Sequence, residues 1–192
     1  MARAGLTAER VTEAAADLAD AIGFENVTVS AVARSFGVRD ASLYSHVKNL
    51  QDLRERVTLL AAGEVADRIA AAVAGRSGKE AMTAFANAYR AYALAHPGRY
   101  AAYQTPLDPA VAARSAAYVR NVELTYAMLR AYDLDEPHLT DAGRLLRSTF
   151  HGYVTLELNG GFSHSREVRA SWDSALDGLH FLLQHWPGRP SD

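Results

Sequence analysis

Between Arg39 and Lys48 the chain sets Arg39, Asp40, Ala41, Ser42, Tyr44, His46 and Lys48 around two apolar residues, Leu43 and Val47. Apolar residues four apart share one side of a helix, so the polar set is left facing outward. Those residue types suit base edges and phosphates. An arginine in the first turn can bond guanine through two N–H groups, and a serine hydroxyl is permissive. The Asp40 carboxylate can accept from a cytosine amino group or cap the helix. Tyr44, His46 and Lys48 would face the flanking phosphates. The elements that must hold this face lie just upstream. Thr28 can cap a helix in which Val29, Val32, Ala33 and Phe36 recur at helical spacing, and Gly37 can take the left-handed backbone that ends it. Two short amphipathic segments meeting at Gly37-Val38 are the layout of a helix-turn-helix, whose second helix fits a major groove. The competing reading is a three-helix packing unit with an ordinary polar face; motif order and the long helix that follows favour DNA.

The run from Thr28 to Leu53 resembles the DNA-binding segment of the tetracycline-repressor (TetR) family of bacterial one-component regulators. The matching residues are Thr28-Val29, Ala33, Gly37-Val38 and Leu43-Tyr44-Ser45-His46-Val47. Downstream, Ala88 to Tyr103 and Phe150 to Phe162 are similar to the ligand-domain signatures of the subgroup with a Trp-His-Gly motif. Phe150 stands in the Trp place, while His151-Gly152 and Leu156-Glu157 match. One further departure is Leu50, where the wider family often has Lys; a phosphate contact is then missing or passes to Asn49. The resemblance implies an all-α protein: an N-terminal three-helix helix-turn-helix domain and a C-terminal helical ligand-binding and dimerisation domain. It also implies that the last two helices pair with their copies in a four-helix interface.

Bulk properties set the limits. The 192 residues carry a formal net charge of −2 and no cysteine, which excludes disulfides and thiolate metal sites. The first 60 residues hold seven Arg or Lys against eight Asp or Glu, so even that region is not basic overall. Positive charge near the expected groove is local: Arg34, Arg39, Lys48, then Arg54 and Arg56. No apolar run approaches the roughly 20 residues that span a bilayer. Glu9, Glu13, Asp17 and Asp20 interrupt what a signal peptide would need as its apolar centre. The expectation is a cytoplasmic protein without membrane partners or cofactors.

Along the chain, Thr7 caps a first helix with a stripe of Val11, Ala14, Ala15, Leu18 and Ile22, ended by Gly23. Asn49 caps a long helix carrying Leu53, Val57, Leu60, Val65, Ile69 and Val73, which should end near Gly75. This divides the chain into a helix-turn-helix domain (1–48), a connecting helix (49–75) and a second helical domain (76–192). Within the last, helices are expected over about Lys79–His96, Pro109–Tyr132, Thr140–Asn159 and Ser165–Trp186, with a short segment over Arg99–Gln104.

The second domain is rich in aromatics. Phe85, Tyr89, Tyr92, Tyr103, Tyr126 and Phe150 suit an apolar small-molecule pocket with few directed bonds, although each one alone reads as core. Glu157 is either the partner of a nearby arginine or a polar anchor in that pocket. His151-Gly152 reads as a point of close helix packing. Leu145 on one helix and Trp172, Leu176, Leu179 and Leu183 on the last form apolar stripes, assigned to the dimer interface. No HExxH, GxSxG, phosphate loop or supported carboxylate pair is present, and His180 and His185 have the wrong spacing for a metal pair. Together these features describe a ligand-responsive, dimeric DNA-binding regulator, most simply a repressor on a palindromic operator, and not an enzyme. The rival is a helical small-molecule-binding or catalytic protein whose N-terminal helices no longer bind DNA.

Overall fold

A computed structural model describes residues 6–187, and among these every regular element is helical. Helix α1 spans Ala8–Ile22, α2 Val29–Ser35, α3 Leu50–Val73, α4 Gly78–Ala95, α5 Pro97–Gln104, α6 Pro109–Arg114, α7 Ala116–Leu129, α8 His138–Leu158 and α9 Val168–Gln184. Single 3₁₀ turns cover Phe24–Asn26, Asp40–Ser42 and Arg130–Tyr132.

Local chemistry sets most of these boundaries. The Thr7 hydroxyl accepts from the Arg10 amide and opens α1, and Thr28 does the same for α2 through Ala31. Asn49 Oδ1 accepts from the Asp52 amide at 2.9 Å, while Asp52 Oδ2 accepts from the Lys48 amide at 2.8 Å. These reciprocal bonds are close to a capping box and start α3. Proline opens both α5 and α6, where its missing N–H costs nothing.

The single helix expected over Pro109–Tyr132 is interrupted. Ser115 is extended, with ψ of 114°, and its hydroxyl accepts from the Tyr118 amide at 3.4 Å, so it ends α6 and caps α7. The stripe read on α1 is also rotated: Val11, Thr12, Ala15, Ala16 and Ala19 are buried, whereas Ile22 is outward. Alanines bury this face because the neighbouring backbone comes close.

The chain divides into two compact units, residues 1–65 with 95–119 and residues 66–94 with 120–192. The core of the first unit is Val11, Ala15, Ala16, Ala19, Phe24, Val27, Val29, Val32, Ala33, Leu43, Val47, Leu53, Val57 and Ala102. Ala102 comes from α5, which seats on α1 and α3. A Cβ at Gly98 would overlap the Ala19 carbonyl, so only glycine lets α5 approach α1 this closely. Polar bonds secure the contact. The Arg99 amide donates to Asp20 Oδ1 at 2.8 Å, and its guanidinium donates to Glu64 at 2.6 Å and to Asp17. Thr58 Oγ1 donates to the Ala102 carbonyl at 3.2 Å.

The second unit is closed by Met82, Phe85, Tyr89 and Tyr92 of α4, Met128 and Leu129 of α7, Leu146, Phe150 and Val154 of α8, and Trp172, Leu176, Leu179 and Leu183 of α9.

Candidate nucleic-acid interface

Leu43 and Val47 are buried, while Arg39, Asp40, Ala41, Ser42, Tyr44, Ser45 and Lys48 are exposed and His46 is half-buried. The two buried side chains seat the segment on Val29, Val32 and Ala33 of α2, and the polar set stands outward as its spacing requires. The backbone differs from a regular α-helix. Asp40–Ser42 is a 3₁₀ turn, with Leu43 N–H donating to Asp40 C=O at 2.9 Å, and turns continue through His46. The tighter winding still presents about two turns of side chains to one side. Gly37, at φ of 66°, makes the corner between α2 and this segment.

The carboxylate of Asp40 does not cap its own turn. It accepts from the Ser30 hydroxyl on α2, which ties the first turn of the recognition segment to the helix before it. Ser30 was not legible as a site residue, because no spacing rule joins it to Asp40 across the turn. Thr28 is exposed, with its hydroxyl oxygen engaged by the Ala31 amide; its own proton remains available to a phosphate.

Charge on this face is sparser than the five cations in the sequence suggest. Arg54 turns inward, donating to the Glu25 carbonyl at 2.8 Å and lying 5.6 Å from the Phe24 ring centroid. Arg56 is bound to Asp52 at 3.1 Å. Arg34, Arg39 and Lys48 remain outward. Burial tends to raise the Asp52 carboxyl, but the Lys48 amide and the Arg56 guanidinium overcome it and hold it below the usual carboxylate range.

In the second unit the structure gathers part of the aromatic set. Phe85 and Tyr89 lie 6.3 and 6.2 Å from Phe150, and Trp172 lies 5.7 Å from it on the far side. Tyr92 is fully buried, with Arg68 5.1 Å from its ring centroid, and Tyr126 is partly outward. Tyr103 is not among them. It packs 6.2 Å from Tyr118 in the first unit. Glu157 accepts two bonds from Arg90, one of them 2.7 Å, and Arg90 lies 5.9 Å from the Trp172 centroid. Burial and the nearby Arg147 hold the His151 imidazole below its usual value.

The stripe assigned to a dimer interface needs correction. Trp172, Leu176, Leu179 and Leu183 are buried within a single chain, and the Trp172 indole N–H donates to Asn87 Oδ1 at 2.9 Å. These are core positions, so they are already covered before any partner arrives. Leu145 is half-buried; the large apolar side chains that α8 and α9 leave outward are Leu156, Leu158 and Phe181, the last 64% exposed.

A polar recognition segment held outward on a buried Leu–Val seam, behind a glycine corner, defines a helix-turn-helix DNA-binding protein. Comparison with known proteins narrows the class. Residues 11–57 match the model for bacterial regulatory proteins of the tetR family, and residues 82–179 match that for a tetracyclin repressor-like C-terminal domain. An uncharacterized HTH-type transcriptional regulator of Mycobacterium tuberculosis is 35% identical over 161 residues, covering 82% of this chain and 72% of that protein. Another from Bacillus subtilis, YobS, is 31% identical over 183 residues, covering 95% and 91%. In fold, the chain is similar to a crystal structure of a TetR variant from Acinetobacter baumannii in complex with minocycline, with a TM-score of 0.71 at 19% identity, covering 96% and 100%. The chain belongs to the TetR family of bacterial regulatory proteins and is a DNA-binding transcriptional regulator.

Proposed function

We propose that the chain is a repressor that binds a palindromic operator as a homodimer and releases it when a small effector occupies the second unit. The observation that carries this reading is the exposed set Arg39, Asp40, Ser42, Tyr44 and Lys48 on the buried Leu43–Val47 seam. Arg39 and Ser42 read base edges; Thr28, Tyr44, His46 and Lys48 hold phosphates. In functional terms residues 1–48 read DNA, 49–75 connect, and 76–192 bind effector and dimerise. Twofold symmetry sets two recognition segments into successive major grooves. The pairing surface is the outward side of α8 and α9, where Leu156, Leu158 and Phe181 are exposed.

The effector site is built on Phe85, Tyr89 and Phe150, with Tyr92 one turn further along α4, Glu157 two turns further along α8, and Tyr126 contributed by α7. These rings rest on one another and Arg90 holds Glu157, so an apolar effector enters by parting them. Such a ligand weakens operator binding only by its differential affinity for the two states, and operator must weaken the ligand by the same factor. The protein acts in the cytoplasm, where its DNA is; no described helix is long and apolar enough to cross a membrane.

A titration of fluorescent DNA flanking the protein's own gene tests the reading. Saturable binding with two chains per site, well tighter than to scrambled DNA at the same salt, is expected. Equal affinity for both DNAs would overturn it.

A further inference from the structure

The connection between α8 and α9 borders an open cleft of about 480 Å³ in the second unit. Tyr153 and Phe162 form its apolar wall, with ring centroids 4.9 Å apart, and Ser163, His164, Arg166 and Ser171 supply its polar rim. None of the residues lining it is acidic. The volume lies in the range of small-molecule sites, which are mostly apolar with a few directed polar groups.

Three features of the rim point to an anion. Arg166 Nε donates to the Ser171 hydroxyl at 3.2 Å and Nη2 reaches Ser174 Oγ at 3.5 Å, but no carboxylate among the described residues pairs with it. Neighbouring cations differ: Arg169 is bound to Asp173, Lys79 to Asp177 and Arg90 to Glu157. Next, His164 Nδ1 accepts from the Arg166 amide at 3.0 Å, which places the proton of the neutral ring on Nε2 and makes that nitrogen a donor. Finally, Ser163 and Ser171 add hydroxyls to the same rim. A guanidinium held by hydroxyls keeps N–H groups for a planar, two-oxygen acceptor.

A larger groove of about 760 Å³ between the end of α3 and the start of α4 differs in carrying an acidic lining residue, Glu80. There Lys79 is bound to Asp177, Arg76 to the Ala72 carbonyl and Asn87 to Trp172, which leaves Glu80, Thr83 and four alanines.

We propose that the α8–α9 corner is a binding site for a small aromatic carboxylate, with the ring against Tyr153 and Phe162 and the carboxylate on Arg166 and His164. The site shares no lining residue with the Phe85–Tyr89–Phe150 cluster, and Trp172, which packs on both Tyr153 and Phe150, lies between them.

Titration of the full chain with sodium benzoate, followed by amide NMR, tests the proposal. Saturable shifts concentrated in residues 161–171 are expected, with benzamide and acetate each at least tenfold weaker. Arg166→Gln should lower benzoate affinity at least tenfold and Phe162→Ala at least threefold. Arg166 is exposed, so Arg166→Gln should leave melting temperature unchanged, and neither substitution should alter operator affinity. Absence of saturable benzoate binding to the native chain would overturn the proposal. So would shifts centred elsewhere, or full affinity in a folded Arg166→Gln variant. Operator binding measured on the same samples keeps a failure here distinct from a failure of the DNA-binding reading.

Discussion

Ser30 donates its hydroxyl to the Asp40 carboxylate, joining the helix before the turn to the first turn of the segment after it. This bond orients a face whose own 3₁₀ turn has no side-chain cap. Removing it should loosen the approach of Arg39 and Ser42 to base edges while leaving the apolar seam intact. Ser30→Ala should therefore weaken operator binding by about 1 kcal/mol, roughly fivefold, with little change in melting temperature. Anisotropy titrations of both proteins on one operator would check this, and equal affinities would contradict it.

Gly98 tests the seating of α5 on α1. A methyl group there meets the Ala19 carbonyl and the Asp20 amide, both backbone atoms that cannot swing away. Gly98→Ala should destabilise the protein by about 1–3 kcal/mol or more, because overpacking forces the helices apart. The check is a thermal melt followed by circular dichroism. A melting temperature equal to the native one would show that α5 is not held where the structure places it.

Much of this architecture is legible in the sequence, and the exceptions have physical causes. Thr7, Thr28, Asn49 and the glycine corner at Gly37 announce themselves because caps and left-handed turns depend on local chemistry alone. The break at Ser115 was hidden, since a serine between alanine-rich turns is compatible with a continuous helix. The assignment of the α9 stripe to pairing has a physical reason for failing. Periodicity identifies an apolar face but does not say whether that face meets its own chain or another. Gly152 shows the same limit: a Cβ there would meet open space, so close helix packing does not explain it. Glu157 required Arg90, 67 residues away, to be understood.

Acid should act on the start of α3. Asp52 sits below its ordinary carboxylate range because the Lys48 amide and Arg56 outweigh burial. A depressed carboxyl stabilises the fold fully above its unfolded-state value, and that contribution is lost as pH falls through the lower folded-state value. Asp52→Asn should thus melt lower than the native protein near neutral pH, and the gap should close in acid. Melts between about pH 3 and 7 would show it, and a gap independent of pH would contradict the assignment.

Two substitutions on α9 separate core from pairing surface. Leu179 is 9% exposed and Phe181 64%. Leu179→Arg buries a charge without a partner and should destabilise the single chain by several kcal/mol. Phe181→Arg should leave the chain folded but shift it toward monomer. Sedimentation velocity alongside thermal melts distinguishes them. A stable dimer in the Phe181→Arg variant would exclude that face from pairing.

The central claim, that the face from Arg39 to Lys48 reads DNA, is tested most directly by base-by-base competition on the operator. With Arg39→Ala, preference at one base position per half-site should relax by about 1–3 kcal/mol while other positions keep theirs. Lys48→Ala serves as the control. It should weaken all sequences alike and flatten the salt dependence by about 0.9 per lost phosphate contact. If Arg39→Ala keeps both the affinity and the full base preference of the native protein, the recognition face lies elsewhere.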